Sequence, residues 1–368
     1  MFLQNLHILN FKSIESADFE FSPGINCFVG DNGAGKTNLL DAIYYLAFCK
    51  SFLGIGDLHN IKHNHSFFVL QGSFFRNNEV EQIYCGFKRN QKKQFKRNKK
   101  DYERLADHIG LLPVVMISPN DELLITEGAE ERRKYIDGVV SQYDRGYLYN
   151  LMRYNRLLIQ RNSYLKQWRE QGGGDAGLLD VLDTQMGLLG DAIFQQRQKF
   201  VESLLPVFCR YYYLLSGDGE QVGLVYQSGL HQYSLSQGLM ETRSRDLQLG
   251  FTSRGIHKDE LELSLNGFPI KKIGSQGQKK SFLIALKLAQ FQFLSQFNGF
   301  KPILLLDDIF DKLDLKRGGN LIALVADDAF NQIFITDTNQ AHLELVLSKT
   351  GKEYRLFNVR NGATLNEN

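Results

Sequence analysis

Eight consecutive residues, Gly30-Asp31-Asn32-Gly33-Ala34-Gly35-Lys36-Thr37, fit the spacing G-x-x-x-x-G-K-[ST] at every specified position. The chemistry this spacing serves is the holding of a nucleotide's phosphates. Small residues let consecutive backbone N–H groups turn inward as a nest for anionic oxygens, and a helix starting near Lys36 adds the positive end of its dipole. Lys36 is placed to reach the β- and γ-phosphates, and the Thr37 hydroxyl to hold Mg²⁺. The competing reading is a chance glycine-rich turn. Its context argues against that: the strand-like run INCFV comes before it, and NLLDAIYYLAF with helical period follows.

Two further groups of residues extend this chemistry. Ile303-Leu304-Leu305-Leu306-Asp307-Asp308 is an apolar run that closes on two carboxylates. A charge at the end of a buried strand needs a cation or a partner. Asp307 suits Mg²⁺ bound through a water, completing a shell with Thr37, and Asp308 is placed to polarise an attacking water. Alone, such a run is a weak signal; beside an intact phosphate loop it is a strong one. Gly274-Ser275-Gln276-Gly277-Gln278 precedes a long helical run. A serine hydroxyl, a glycine N–H and a helix N-terminus describe a second anion site. They describe equally well an ordinary helix cap, with Ser275 satisfying orphan N–H groups. One chain already supplies a triphosphate cradle, so a second γ-phosphate receptor suggests a composite site shared between two chains.

The elements that must position these residues alternate at both ends of the chain. LHILNF, ADFEFS and INCFVG read as strands, SFFVLQGSFF and EQIYCGF as a hairpin that QKKQF extends, and VVMIS as a buried strand bracketed by Pro113 and Pro119. Towards the C-terminus come QVGLVY and ELELSL, the long helix SFLIALKLAQFQFLSQF, and the strands PILLLDD, NQIFITD and YRLFNV. Between these portions the period changes. Ile136, Val140, Tyr143, Tyr147, Leu151, Tyr154 and Leu158 form one helical seam, and Leu182, Met186, Leu189, Ile193, Phe200 and Leu204 form another. Gly172, Gly173 and Gly174 separate them, which predicts an antiparallel helical hairpin, either a stubby arm or part of a compact helical lobe. The expected organisation is an α/β nucleotide-binding lobe from 1–119 and 300–368. A mainly helical lobe spans 120–299, with the arm at about 130–215 and the second anion motif at 274–278.

The chain has 368 residues, 43% hydrophobic and 23% charged, which are ordinary globular proportions. Its opening residues, MFLQNLHILNFKS, lack the cationic flank and apolar run of a signal peptide. No stretch reaches the roughly 18 apolar residues of a membrane span. The four cysteines, Cys27, Cys49, Cys85 and Cys209, lie far apart and read as reduced thiols of a cytoplasmic protein. Net charge is +2, but residues 88–104 carry nine Lys/Arg against two Asp/Glu. That strip is a candidate phosphate-backbone contact through Lys92, Lys93, Lys96 and Arg97; the plainer reading is a solvated basic face.

Taken together the motifs resemble those of the ABC-type ATPases, and within them the RecF family of DNA repair proteins. GDNGAGKTNLLDAIYYLAFCKSF is similar to that family's phosphate loop and following helix. SQGQKKSFLIALKLAQ resembles its variant signature motif, and LLLLDDIFDKLD its magnesium strand and D-loop. PNDELLITEGAEERRKYID and GIHKDELELSLNG resemble family-specific segments. The resemblance runs from about residue 1 to 360. It implies an ABC-type ATPase head with a helical second lobe carrying a short antiparallel arm. It assigns Gly30, Asp31, Asn32, Gly33, Ala34, Gly35, Lys36 and Thr37 to ATP, and Ser275, Gln276, Gly277 and Gln278 to the signature. Lys36, Asp307 and Asp308 become the catalytic groups, with Thr37 and Asp307 as the metal ligands. Asp314 becomes the D-loop acid that crosses a dimer interface. Apart from the resemblance, the pair Arg132 and Arg133 on the expected arm is the second candidate DNA contact, if the basic strip does not serve.

The resemblance further implies an ATP-dependent homodimer, binding to gapped or single-strand/double-strand junction DNA, and cooperation with RecR and RecO in recombinase loading and the SOS response. The chain departs from the family at Asp311-Lys312 and at Glu127-Gly128-Ala129, and it has Thr336-Asp337-Thr338 where ABC transporters place a switch histidine. Asp308 is an aspartate where a glutamate is usual, and with no switch histidine a slow, DNA-stimulated ATPase is expected. The alternative, a nucleotide-binding subunit of an ABC transporter, fits less well: 271 residues separate Lys36 from Asp307, and SQGQ stands in place of LSGGQ.

Overall fold

The computed structural model describes residues 1–217, 219–309, 315–325, 330–348, 351–360 and 363–365. It forms two compact units. One comprises Met1–Glu122, Arg210–Gly219 and Gly274–Asn368; the other comprises Leu123–Cys209 and Glu220–Ile273.

The first unit is built on two six-stranded sheets. The antiparallel one is ordered β2 (Ile14–Glu20), β1 (Phe2–Phe11), β4 (Phe67–Arg76), β5 (Glu79–Lys88), β6 (Gln94–Arg97) and β7 (Lys100–Asp101). Its strands alternate: Leu6 and Ile8 of β1 are buried while Asn5 is exposed, as expected of a sheet with one wet face. The other is ordered β15 (Ala363–Leu365), β14 (Tyr354–Arg360), β3 (Ile25–Val29), β13 (Ile333–Asp337), β12 (Ile303–Leu306) and β8 (Val114–Ile117). From β14 to β8 it is parallel, and every residue of β3, β13, β12 and β8 is buried. That two-sided burial explains why these strands read as unbroken apolar runs.

Helix α1 (Lys36–Phe48) joins the two sheets in one core, its Leu39, Leu40, Ile43 and Leu46 packing with Phe11, Phe68, Phe28 and Phe334. Phe21 of the segment after β2 meets Phe334 edge-on at 4.8 Å between ring centroids. Helix α8 (Gln276–Asn298) is buried all round from Ser281 to Phe291. It packs on β8, and its Lys287 pairs with the buried Asp121, in the turn that follows β8, at 2.7 Å. The segment 274–299, expected within the helical lobe, thus belongs to the nucleotide-loop unit, because a helix buried on every side needs a core around it. Helices α9 (Leu315–Val325) and α10 (Gln340–Ser348) complete the unit.

The second unit contains α2 (Leu123–Thr126), α3 (Ala129–Val140), α4 (Arg145–Gln171), most of α5 (Ala176–Ser216), α6 (Leu235–Leu249) and α7 (Ile270–Ile273). A three-stranded antiparallel sheet of β11 (Phe268–Pro269), β10 (Glu260–Leu265) and β9 (Val222–Gln227) belongs to it as well. The predicted seam over 136–158 is interrupted: α3 ends at Val140, and Asp144 caps a new helix by accepting from Tyr147 N at 2.9 Å.

Helices α4 and α5 form the antiparallel hairpin, with Gly172 left-handed at the turn (φ +71°). Buried Arg161 reaches Asp183 at 2.6 Å across the hairpin, and buried Arg197 reaches the Tyr147 hydroxyl at 3.1 Å. A third helix, α6, lies along the hairpin almost to its tip. Asp246 accepts from Arg161 at 2.7 Å, Arg243 pairs with Asp180 and Asp183, and Arg169 donates to Leu249 O at 2.9 Å. The hairpin is therefore a packed component of its lobe.

Candidate nucleotide-binding site

Parallel strands carry their carboxyl ends to one edge of a sheet, where open α/β sheets bind ligands. Here that edge gathers the loop after β3, Asp307 and Asp308 after β12, and Asp337 at the end of β13. The register places Leu306 opposite Ile335 and Val29 opposite Asp337. The loop closes on itself by Ala34 N donating to Asp31 O at 3.1 Å, and Gly30 N donates to Asp337 O at 3.3 Å. Two of its glycines are required. Gly35, the N-cap of α1, has φ +105°, and a Cβ on Gly30 would lie 2.3 Å from Val359 O. The first amides of α1 have no carbonyl of their own helix to donate to, so the site presents donors and a positive dipole end. Lys36 is buried, and its ammonium donates to Gly30 O at 2.7 Å and Asp31 O at 3.1 Å. The loop thus holds its own lysine at the cradle.

The Thr37 hydroxyl lies 3.0 Å from both carboxylate oxygens of Asp307. A second hydroxyl, Thr336 at the end of β13, donates to Asp307 Oδ1 at 2.9 Å. Asp307 is 4% exposed, and burial raises its pKa above the ordinary aspartate value; the neighbouring charge of Asp308 adds to this, while the two hydroxyls and Lys36 oppose it. Thr37 and Asp307 together offer hard oxygen donors, the set that suits Mg²⁺, and a buried carboxylate held at a charge cost suits a cation. Asp308 turns the chain off the strand with φ +43°, a left-handed conformation uncommon for a non-glycine residue, and its N–H donates to Thr336 Oγ1 at 2.9 Å. The role of Thr336 as a brace for both aspartates went unread in the sequence. The signal was its place at the end of a strand parallel to the one carrying Asp307.

Ser275 is the N-cap of α8. Its hydroxyl accepts from Gln278 N at 3.3 Å, and Gln278 Oε1 accepts from Ser275 N at 2.8 Å. The capping reading of the motif is therefore realised within the chain, and the serine stands at the N-terminus of a 23-residue helix, where an anion is favoured. The Arg317 guanidinium approaches the bare backbone at Gly277, where a Cβ would lie 2.7 Å from its nitrogen and would push that side chain aside. Gln276, Lys279 and Lys280 of this helix share with Asp307, Asp308 and Ser118 the lining of one pocket, with a cavity volume of about 90 Å³. Asp314, the expected interface acid, lies outside the described residues.

The candidate DNA-contact residues fare unevenly. Lys93 points inward: it pairs with Asp57 at 2.9 Å and donates to Cys49 O at 2.7 Å. Arg97 forks onto Glu81, holding that carboxyl below its usual range. Arg132 grips Glu260 through two bonds of 2.6 and 2.7 Å, and Arg133 donates to Asp259 O at 2.7 Å. These four side chains tie elements together and are not offered freely to phosphates, contrary to the expectation from charge density alone. Lys92 is exposed, and Lys96 is held by Asp101 at 3.6 Å.

A family model described as RecF/RecN/SMC N terminal domain matches residues 2–364. The DNA replication and repair protein RecF of Bacteroides fragilis is 50% identical over 364 residues, covering 99% of this chain and 98% of its own length. That of Bacteroides thetaiotaomicron is 51% identical over 363 residues, covering 98% of each. A solved structure of the recombination mediator protein RecF-ATP in the RecFOR pathway is 28% identical, with a TM-score of 0.89 over 100% of this chain and 98% of the other. An Smc head bound to the C-winged helix domain of ScpA, 15% identical with a TM-score of 0.59 over 99% of this chain and 96% of the other, shares the fold. The head architecture expected from the motifs is thereby established, and the chain belongs to the RecF family of ABC-type, SMC-like ATPases.

Proposed function

We propose that this chain is an ATP-dependent DNA-binding protein of recombinational repair and replication that dimerises on ATP at gapped or junction DNA and hydrolyses ATP slowly. The observation that carries the reading is the joined cluster of phosphate loop, Thr37, Asp307 and Thr336 at the carboxyl edge of the parallel sheet. Relatives named as DNA replication and repair proteins, about half identical over almost the whole length, support the biological setting. By the same kinship, RecR and RecO are the partner proteins, the SOS response is the physiological context and the cytoplasm is the location. Among the described residues no helix is long and apolar enough to cross a membrane.

In this reading Lys36 and the loop amides bind the β- and γ-phosphates. Thr37 and Asp307 would hold Mg²⁺, which when bound would supply charge neutralisation to those phosphates. Asp308 orients the attacking water. Ser275 and Gly277 of a second copy receive the γ-phosphate, so that two nucleotides lie between two chains and hydrolysis lets the pair open.

The test is light scattering of the purified chain with and without ATP–Mg²⁺, repeated with gapped DNA. The mass doubles on ATP in the wild type and stays monomeric in Lys36→Met, which loses the charge-assisted contact to the phosphates, at least about ten-fold in affinity. A strictly monomeric wild type at saturating ATP and high protein concentration overturns the proposal.

A further inference from the structure

The dipeptide Asn-Gly occurs four times in the chain, at Asn32, Asn266, Asn298 and Asn361. Asn361 lies outside the described residues. In this dipeptide the asparagine side chain is open to attack by the next backbone nitrogen, because glycine has no Cβ to crowd the approach or to hinder rotation of the peptide between them. The three described copies differ in what the fold permits. Asn266 turns the β10–β11 hairpin; its side-chain oxygen accepts from Gln221 N at 2.7 Å, and its own N–H donates to Gln221 O at 2.6 Å. Asn298 is the last residue of α8, where the helix fixes its backbone and its amide nitrogen is buried. Both are held.

Asn32 stands in the phosphate loop, inside the turn that Ala34 N closes on Asp31 O. Asp31, Asn32 and Gly33 are all exposed. Among the described residues, neither the Asn32 side-chain amide nor the Gly33 N–H is hydrogen-bonded. A Cβ built on Gly33 meets nothing within 4 Å, so the peptide joining the two residues has open space in which to rotate. The nitrogen that must attack and the carbonyl carbon that must receive it are therefore both unengaged and in contact with water. The cause lies in what the loop is built for. Its amides lack partners in the chain so that they can take phosphate oxygens, and the same property leaves Gly33 N available whenever the chain is nucleotide-free.

We propose that Asn32 is a self-modification site, whose reaction disables the phosphate loop and which bound ATP protects. The Gly33 nitrogen attacks Asn32 Cγ. The new C–N bond closes a succinimide ring, the Cγ–Nδ2 bond breaks, and the Gly33 proton leaves with the amide as ammonia. Water then opens the ring at either carbonyl, giving aspartate or, where the main chain is rerouted through Cγ, isoaspartate. Both products set a carboxylate among donors meant for phosphate, and isoaspartate adds a methylene to the backbone of the nest. With ATP bound, the loop amides donate to phosphate oxygens, so Gly33 N is engaged and the peptide is held. The nucleotide-free chain thus has a limited working life that the nucleotide extends. The protection rests on the ATP-binding reading above; the reactivity of Asn32 rests on the loop alone.

The experiment is peptide mapping by mass spectrometry of the full chain, incubated at mildly alkaline pH with and without ATP–Mg²⁺, scoring each asparagine for conversion to aspartate and isoaspartate. Without nucleotide, Asn32 converts at least about ten-fold faster than Asn266, which two hydrogen bonds hold. ATP at about 100 times its dissociation constant slows Asn32 by about 100-fold, as the free fraction falls, and gives no protection in Lys36→Met. Asn32→Asp, standing in for the converted chain, binds labelled ATP at least about ten-fold more weakly, the scale of one like charge beside the phosphates. If Asn32 keeps its amide in the nucleotide-free chain while a synthetic peptide of residues 28–37 converts in the same buffer, the proposal is overturned. Equal conversion of Asn32 and Asn266 overturns it too. Equal rates with and without ATP, in a wild type that binds labelled ATP, overturn the protection alone. A wild type that binds no labelled ATP overturns the nucleotide reading above and the protection with it, while the nucleotide-free arm still decides the reactivity of Asn32.

Discussion

Asp307 carries its charge where burial opposes it, and two hydroxyls and a lysine make that tolerable. Its folded pKa lies above the ordinary aspartate value. The sign of the linkage follows: a raised carboxyl favours folding below the unfolded pKa, and that benefit is lost as pH rises through the folded pKa. Near neutral pH the ionised Asp307 therefore weakens the nucleotide-free protein. Asp307→Asn keeps the shape and can still bond Thr37 and Thr336, so it raises the thermal unfolding midpoint near neutral pH, an advantage that vanishes on acidification below the aspartate range. The same variant abolishes ATP turnover, since an amide is a poor partner for Mg²⁺. Differential scanning calorimetry across pH, paired with a phosphate-release assay, checks both halves; a lower midpoint at neutral pH would contradict the assignment of burial as the dominant cause.

Among the elements, α8 is the one whose start is read in two ways. Ser275 and Gln278 cap each other reciprocally, and a serine hydroxyl at a helix N-terminus also suits an anion. Two substitutions separate these roles. Ser275→Ala removes the cap, which costs about 1 kcal/mol of stability. Ser275→Arg removes the cap equally and adds bulk and charge where the second copy's γ-phosphate is proposed to sit. Both variants should lose similar stability in thermal unfolding and bind labelled ATP as the wild type does, while Ser275→Arg alone stays monomeric in size-exclusion light scattering. If Ser275→Arg assembles on ATP like the wild type, the helix start is a cap and nothing more. The rest of α8 is held in the core through Lys287–Asp121, so its N-terminus is fixed relative to β8 and the strand that ends in Asp307.

At the scale of the molecule, the nucleotide loop, the magnesium strand and the second anion motif all belong to one unit, although 239 residues separate Lys36 from Ser275. If a working site is shared by two chains, catalysis is second order in protein at low concentration. Specific ATPase activity should then rise with chain concentration and level off once dimers saturate, measured by coupled phosphate release at fixed saturating ATP. Activity per chain that is independent of concentration over the range where scattering reports dissociation would place the complete site within a monomer. The second unit contributes none of these groups. Its organisation rests on buried ion clusters around Arg161 and Arg197, whose acids Asp183, Asp246 and Asp137 come from distant parts of the chain.

The sequence by itself determined the phosphate loop, the acidic strand end and the α/β alternation, because each depends on short-range spacing: small residues before Gly-Lys-Thr, an apolar run before two aspartates, period 2 passing into 3.6. It also carried the family, through motifs kept in order along nearly the whole chain. The tertiary structure alone decided which charges are free. Lys93, Arg97, Arg132 and Arg133 look alike on paper to Lys92 and Lys99, but their carboxylate and carbonyl partners lie 5 to 128 residues away. Pairing over such separations has no signature in local composition. The same holds for Thr336 against Asp307, 29 residues off on a parallel strand. Sheet register, which long-range packing sets, brings these residues together.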